Sequence, residues 1–347
     1  MQRLTSAAVT GSLVALFLLW QPCAVAQQEF RLDESDEWVQ TEAPEPGSPQ
    51  AQLAAARTAL AREQYERAVN IAGQWIERYP NHALLPEAYI LRGDALDGRG
   101  DEYEALFDYE YVARVFPESE AFVTALEREL EIAKKYAAGM KRKLWGMRIL
   151  SAIDDAEELF IRIQERLPGS RLAEEAGITL GDLYFRRRDM DLAAEMYAIF
   201  IENHPRSELI DRARRGLIAS HLASFKGPEF DAAGLSEARA LLRELKVVDP
   251  MASEEIGADA LLTRIDESMA NKLLRTARWY LKQEDPIAAE LALRRLILRY
   301  PGSVAAREAL DLIRRMLPHL PKSVLGEAPD YRAIIEAVDA VETEVQP

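Results

Sequence analysis

Between Gly181 and Pro205 the apolar residues recur every three or four positions, in two consecutive runs. This period is that of an amphipathic α-helix, and the polar pair Arg188-Asp189 separates the two runs. Proline has no N–H to donate and clashes with the preceding turn, so the second helix has to end before Pro205. The stretch therefore predicts two helices that pack as a hairpin and end at a proline.

The same spacing recurs along the chain. Six prolines have an alanine twelve positions earlier: Ala68, Ala105, Ala156, Ala193, Ala238 and Ala289 precede Pro80, Pro117, Pro168, Pro205, Pro250 and Pro301. Four of these units also have a small residue twenty-four positions before the proline: Ala56, Gly93, Gly181 and Ala277. Helix pairs of about 34 residues with small residues and a final proline are typical of tetratricopeptide repeats. We therefore predict an all-α, tetratricopeptide-like solenoid of about six helix pairs at 51–317. An ordinary helical bundle is the alternative, and it would not explain the shared alanine.

Parts of the chain depart from the simple repeat. The third unit is long, the fifth carries an insertion at 224–234, and a last helix is expected to cap the open end of the solenoid. A C-terminal extension with one short helix is assigned to 318–347. The helices predicted in these parts are 120–139, 148–167, 235–248, 256–282, 303–316 and 331–341.

Serine or asparagine follows most of the six prolines within two residues. Their side-chain oxygens accept hydrogen bonds from free N–H groups at the start of a helix. They are therefore predicted to cap the next helix in each unit. The residues are Asn81, Ser119, Ser170, Ser207 and Ser303.

The first 26 residues have the features of an export signal. Arg3 gives a positive start, 9–20 is an apolar run too short to cross a membrane, and Ala24-Val25-Ala26 is a small-x-small cleavage pattern. We expect cleavage after Ala26, a periplasmic or secreted protein, and no transmembrane span in the mature chain.

Cys23 is the single cysteine and lies near the end of that apolar run, where bacterial lipoproteins are acylated. Lipoprotein processing requires small residues before the cysteine, and this chain has Trp20-Gln21-Pro22 there. Lipidation of Cys23 is therefore the less favoured route. Cleavage after Ala26 removes Cys23 and leaves a mature chain without a thiol.

Residues 27–50 contain seven acidic side chains against Arg31 alone, and prolines and a glycine close the segment. Such a composition buries too little apolar surface to fold, so 27–50 is predicted to be a disordered tether. The whole chain has a net charge of −15, which argues against a nucleic-acid partner.

The sequence has no pattern of a catalytic or metal site. None of the four histidines (His82, His204, His221 and His319) lies four positions from another His or Cys, as zinc ligands on one helix would. The chain contains no G-x-S-x-G, phosphate-loop or G-x-G-x-x-G motif. We therefore expect a protein that is not an enzyme and has no cofactor and no metal.

Stacked helix pairs offer a groove lined by the first helix of each pair. Such a surface suits an extended peptide or a partner helix, with apolar contacts for affinity and fixed charges for orientation. The helical period predicts that seven side chains of the second and fourth units face this groove: Ile90, Asp94, Asp97, Ile178, Asp182, Phe185 and Arg186.

Several short motifs recur in the solenoid. Gly93-Asp94-Ala95 and Gly181-Asp182-Leu183-Tyr184 share a G-D start, and Ala277-Arg278-Trp279-Tyr280 opens the last unit, which ends in Arg299-Tyr300-Pro301. Together with the signal segment and the final prolines, these motifs resemble the BamD family of outer-membrane assembly lipoproteins, over about 51–316.

The resemblance implies a non-catalytic periplasmic scaffold, peripheral to the outer membrane. It also implies protein partners, either a β-barrel assembly protein or unfolded outer-membrane clients. The residues leave one alternative open, a soluble tetratricopeptide adaptor for cell-division or peptidoglycan machinery, because related envelope proteins share single units.

Overall fold

Helices joined by short turns make up most of the computed structural model, which describes residues 30–32, 38–40 and 45–345. The predicted signal segment and Cys23 lie outside these residues. The chain divides between Arg99 and Gly100 into two compact units. The elements of the first unit are β1 (Phe30–Leu32), β2 (Trp38–Gln40), α1 (Pro49–Ala61), α2 (Tyr65–Arg78) and α3 (Leu85–Arg99). Strands β1 and β2 pair antiparallel, so part of 27–50 has secondary structure that its composition does not predict.

The second unit contains the remaining helices and one β-hairpin. Its elements are α4 (Glu102–Val115), α5 (Ala121–Ala137), β3 (Arg142–Leu144), β4 (Met147–Leu150), α6 (Ile153–Arg166), α7 (Arg171–Arg187), α8 (Met190–Asn203), α9 (Ile210–Ser224), α10 (Ala233–Val248), α11 (Pro250–Glu255), α12 (Ala258–Lys282), α13 (Pro286–Arg299), α14 (Val304–Met316), α15 (Lys322–Glu327) and α16 (Tyr331–Val345). From α4 to α10 each helix packs against the next, and α7 also contacts α5 and α9. This order confirms the prediction of an all-α repeat fold.

The six prolines end helices as predicted. In every case the helix stops two residues before the proline, for example α8 at Asn203 before Pro205. The residue between helix and proline has φ between −126° and −141°, outside the helical region, because the proline ring disfavours the α conformation in the residue before it. One residue type therefore sets the repeat boundary each time.

The alanines twelve positions before these prolines are in the core. All six are at most 1% exposed, and the small residues at the earlier position, such as Ala56 and Ala277, are buried too. A larger side chain at either point would force the two helices of a pair apart, since protein interiors are close-packed. The spacing argument from the sequence is therefore confirmed by burial.

The third unit differs from its prediction. Residues 148–150 form strand β4 instead of the start of a helix, and α6 begins only at Ile153. The cause is local, because Trp145 and Gly146 both have positive φ and reverse the chain after β3. The helices predicted at 235–248, 256–282, 303–316 and 331–341 are confirmed as α10, α12, α14 and α16, within a few residues at each end.

Two of the five predicted caps are confirmed. Ser170 Oγ accepts from Ala173 N at 3.1 Å, and Ser303 Oγ accepts from Ala306 N at 3.0 Å. Ser207 Oγ accepts from Leu209 N, but α9 begins one residue further on. The assignments of Asn81 and Ser119 are wrong. Helix α3 begins four residues after Asn81, at Leu85, and the Ser119 hydroxyl donates to the carbonyl oxygen of Phe116 at 2.8 Å, while α5 has no side-chain cap.

Replacing Ser303 by alanine is expected to lower the free energy of unfolding by about 1 kcal/mol, because the first turn of α14 loses its cap. Ser236 is an exposed serine inside α10 and provides the matched control, since Ser236→Ala should change stability by less than about 0.5 kcal/mol. Urea unfolding of both variants measures the difference. Equal stability of the two would argue against a cap at Ser303.

The C-terminal helices close the last core cluster. Helix α14 packs on α12 and α13, and its buried face includes Ala305, Ala309 and Ile313. Helix α16 packs on α14 and adds Tyr331 and Ile335 to the same cluster. The prediction that α14 caps the open apolar face is confirmed, and the chain after it contributes to that core.

Candidate partner-binding surface

Two of the seven predicted groove residues are buried. Ile178 on α7 is 1% exposed and Ile90 on α3 is 7% exposed. Ile90 is part of the core of its unit, which corrects its assignment as a surface contact. Ile178 is buried as well but also lines the floor of a cleft between α7 and the start of α9. Asp94 and Asp97 are half-buried on α3, and both already interact with neighbouring groups.

The other predicted residues of α7 hold this helix against its neighbours. Asp182 Oδ1 accepts a hydrogen bond from the Tyr197 hydroxyl at 2.6 Å, and its Oδ2 pairs with Arg212 of α9. Arg186 Nη2 donates to the carbonyl oxygen of Ala137 at 3.3 Å, at the end of α5. Phe185 is half-buried. Asp182 and Arg186 therefore lie on one face of α7 as predicted, but both already bind groups of neighbouring helices.

Tyr197 fixes the spacing of α7, α8 and α9. A Cβ atom on Gly181 would lie 2.8 Å from the Tyr197 ring, and one on Gly216 would lie 2.5 Å from it. Both glycines leave room for the same ring, one from each side. Burial and the bond to Asp182 raise the pKa of the Tyr197 hydroxyl above its usual value, so it remains a donor. The sequence patterns did not single out Gly216, although it follows Gly181 by about one repeat length.

A polar cleft of about 440 Å³ lies between α7 and the start of α9. Its charged and polar lining residues are Arg171, Glu174, Glu175, Thr179, Arg206, Ser207, Glu208 and Arg212. Glu175 also pairs with Lys134 of α5, so the charges are held in fixed positions. A cleft with fixed charges of both signs suits orientation of an extended polypeptide.

A second cleft, of about 310 Å³, lies between α8, α9 and α10 and is mostly apolar. Its apolar lining residues are Ala198, Ile201, Leu217, Ile218, Leu241, Leu245 and Val248. Arg214 and Glu244 contribute one charge of each sign. Such a cleft suits the apolar face of a partner helix. Sequence reasoning missed this cleft, in which Val248 at the end of α10 is 64% exposed.

A buried charge cluster joins α4, α5 and α6. Glu129 is fully buried, and Arg166 Nη1 lies 3.5 Å from its Oε2. Arg166 Nη2 is closer to Glu110, at 2.7 Å, and Arg162 also pairs with Glu110. Burial raises the pKa of Glu129 to about 7 despite the opposing effect of Arg166, and the Glu110 carboxylate adds to the rise. Among the described residues, Glu129 Oε1 has no hydrogen-bond partner.

The histidines take part in packing. His204 is buried against Phe200, 3.9 Å from Glu174, and His82 Nδ1 accepts from the Leu84 N–H. Burial lowers the pKa of His221. Within 45–338, no group of three or more His, Cys, Asp or Glu side chains is arranged to hold a metal ion. No helix in the described part of the chain is long and apolar enough to cross a bilayer.

The comparison with protein families concerns the half of the chain that contains both clefts. Residues 150–320 match the YfiO family of outer membrane lipoproteins. The YfiO match spans α6 to α14 and includes the motifs at Gly181–Tyr184 and Ala277–Tyr280. The match does not include α3, although its motif Gly93-Asp94-Ala95 contributed to the resemblance to the BamD family in the sequence. For the matched residues, the resemblance predicted from the sequence is confirmed.

Two curated relatives agree with the YfiO match. The outer membrane protein assembly factor BamD of Neisseria gonorrhoeae is 25% identical over 191 residues, which cover 52% of this chain and 71% of the relative. BamD of Neisseria meningitidis serogroup B gives the same identity and coverage.

Two solved structures align with most of this chain at low sequence identity. The C-terminal part of a TPR repeat-containing protein from Cytophaga hutchinsonii is 13% identical, with a TM-score of 0.38, over 77% of this chain and 89% of that one. The pilF protein of Pseudomonas aeruginosa is also 13% identical, with a TM-score of 0.28, over 75% of this chain and 95% of that one.

Proposed function

We propose that this protein is a non-catalytic scaffold in the assembly of outer-membrane proteins. The observation that carries the proposal is the YfiO match at 150–320, supported by the two BamD relatives. Export by the N-terminal signal would place the chain in the periplasm, where it works at the outer membrane.

The two clefts of the second unit suggest how such a scaffold binds. The apolar cleft between α8, α9 and α10 supplies area that a partner helix can cover, which gives affinity. The polar cleft between α7 and α9 supplies fixed charges, which give orientation and select against wrong partners. Binding at these clefts requires no bond to be made or broken, in keeping with the non-enzymatic role that the family implies. The partner in this proposal is a β-barrel assembly protein or an unfolded outer-membrane client.

Purification of the tagged protein from its native envelope, followed by mass spectrometry, tests this function. We expect a β-barrel assembly protein among the specific partners. Recovery of peptidoglycan synthases or division proteins without any outer-membrane assembly protein would contradict the proposal and favour the adaptor alternative.

Val248→Asp is expected to reduce recovery of the assembly partner about ten-fold or more, because it places a charge in the apolar cleft. Val248 is 64% exposed, so the fold should tolerate the change. The neighbouring Val247 is 82% exposed and does not line the cleft, which makes Val247→Asp the matched control. Equal recovery with both variants would remove this cleft from the binding surface.

A further inference from the structure

The hairpin of β3 and β4 turns at Trp145 and Gly146, which have φ of +51° and +79°. Leu144 and Met147 pair across this two-residue turn. Glycine adopts positive φ freely, whereas a bulky side chain there is strained. The Trp145 side chain is 86% exposed, so burial of this side chain in a core does not offset the backbone strain. Strained, exposed residues of this kind occur at functional sites.

The charged face of the hairpin attaches it to α4. Lys143 and Arg148 pair across the strands and therefore lie on one face. Lys143 Nζ lies 2.9 Å from Asp101 Oδ1, and Arg148 Nη2 lies 2.6 Å from the buried Glu102. Arg148 also donates to the carbonyl oxygen of Gly100 at 3.2 Å. The hairpin is therefore attached to α4 through the face that carries Lys143 and Arg148.

Arg142 fixes the other end of the hairpin. Its Nη1 lies 2.9 Å from Asp155 Oδ1 on α6, and its guanidinium lies 4.3 Å above the ring of Tyr103 on α4. The base of the hairpin is thus joined to two helices by ion pairs that are partly shielded from water. A base held in this way keeps the turn in one position.

The hairpin also carries exposed apolar side chains. Met147 pairs with Leu144 next to the turn and alternates with Arg148, so it lies on the face opposite Lys143 and Arg148, and Ile149 follows at an irregular step of the ladder. Met147 and Ile149 are 56% and 49% exposed, beside the 86% exposed Trp145. A hairpin that served only stability would turn this face to the core. Exposed apolar residues grouped together mark an interaction site.

We infer that this hairpin inserts Trp145 and Met147 into the boundary between headgroups and acyl chains of a phospholipid bilayer. Tryptophan favours this boundary because its ring is apolar and its N–H can reach water or headgroups. Lys141 is exposed and precedes β3 at the base of the hairpin, so its long side chain can contact headgroup phosphates behind the inserted tip.

Charge and shape favour a lipid surface over a protein cleft. The tip at 144–147 carries no charge, and the cations behind it are paired with carboxylates of neighbouring elements, Arg142 with Asp155, Lys143 with Asp101 and Arg148 with Glu102. An apolar phase can therefore surround the tip without burying an unpaired charge. The apolar groups project from a two-residue turn, and a fluid bilayer can surround such a projection without a matching cavity. The segment lies before residue 150, outside the YfiO match, so the inference does not depend on the proposed assembly function.

The test uses the chain from Gln27 onward, the mature form that the sequence predicts, and sedimentation with phosphatidylcholine vesicles with and without one quarter phosphatidylglycerol. We expect binding to both, because the apolar tip inserts without needing charge on the lipid, and quenching of tryptophan fluorescence by lipids brominated near the headgroup. Trp145→Ala should lower the partition coefficient about ten-fold or more and remove the quenching. Met147→Asp should lower the partition coefficient as well.

Trp279 is the matched control, since it is 56% exposed on α12 and distant in the sequence from the hairpin. Trp279→Ala should bind vesicles within about two-fold of the unchanged chain. Circular dichroism should show that Trp145→Ala stays folded, because the side chain is not in the core. Absence of vesicle binding by the unchanged chain would overturn the inference, and so would equal binding by Trp145→Ala. Loss of a protein partner in Trp145→Ala, without vesicle binding by the unchanged chain, would assign the hairpin to a protein interface instead.

Discussion

Replacing Glu129 by glutamine is expected to raise the free energy of unfolding by about 3 kcal/mol at pH 8. Burial raises the pKa of Glu129 from 4.5 to about 7, and each unit of such a shift corresponds to about 1.4 kcal/mol. At pH 8 the folded protein therefore contains a buried carboxylate that burial disfavours. Glutamine has nearly the same shape and no charge, and Arg166 keeps its bond to Glu110 at 2.7 Å.

The same shift fixes the direction of the pH dependence. Between pH 4.5 and 7 the folded state binds the proton of Glu129 more tightly than the unfolded state does, so this group's contribution to stability is lost as the pH rises through 7. Glu129→Gln should remove that loss and differ little from the unchanged protein near pH 4.5. Urea unfolding at several pH values measures both effects.

Glu131 provides the control for Glu129, since it lies on the same helix with a side chain 57% exposed. Glu131→Gln should leave the stability at pH 8 within about 0.5 kcal/mol. Destabilisation by Glu129→Gln at pH 8 would mean that the ionised carboxylate and Arg166 form a net favourable pair.

Replacing Ala193 by leucine is expected to lower the free energy of unfolding by about 1–3 kcal/mol, because the larger side chain overpacks the contact between α7 and α8. Ala193 is 0% exposed at the position twelve residues before Pro205. Thermal or urea unfolding measures the change, and the other five alanines should give effects of the same sign.

Ala198 lies on the same helix and is exposed, so Ala198→Leu is the control. It adds the same atoms at the surface and should change stability by less than about 0.5 kcal/mol. If Ala193→Leu were as stable as Ala198→Leu, the small residue would not be needed for close packing of the pair.

The repeat could be predicted from the sequence because two local rules act at every boundary. Proline excludes the helical conformation for the residue before it, and a closely packed helix pair requires a small side chain where the two axes approach. Neither rule depends on distant parts of the chain. The helix ends at Arg78, Val115 and Asn203 and the burial of the alanines were therefore predictable.

The β3–β4 hairpin was not predictable in the same way. It depends on a positive φ at Trp145, which sequence reasoning does not assign to a tryptophan, and on ion pairs with Asp101, Glu102 and Asp155 from two separate helices. The cap at Ser119 was wrong because its hydroxyl donates to the carbonyl oxygen of Phe116, and spacing along the sequence does not show which of its neighbours a serine side chain binds.

The candidate site was predicted in part. The helical period places Asp182 and Arg186 on one face of α7, but it cannot show that Tyr197, Arg212 and Ala137 engage them. Ile178 lies on the same helix and turns into the core. The apolar cleft depends on three helices together, so its shape follows from tertiary packing rather than from any one segment.

Depletion of the protein in its native cell, followed by quantitative proteomics of the outer membrane, tests the scaffold function most directly. The account predicts that β-barrel proteins of the outer membrane fall several-fold, while periplasmic and inner-membrane proteins stay constant. Unchanged β-barrel levels together with a defect in division or in peptidoglycan would contradict it.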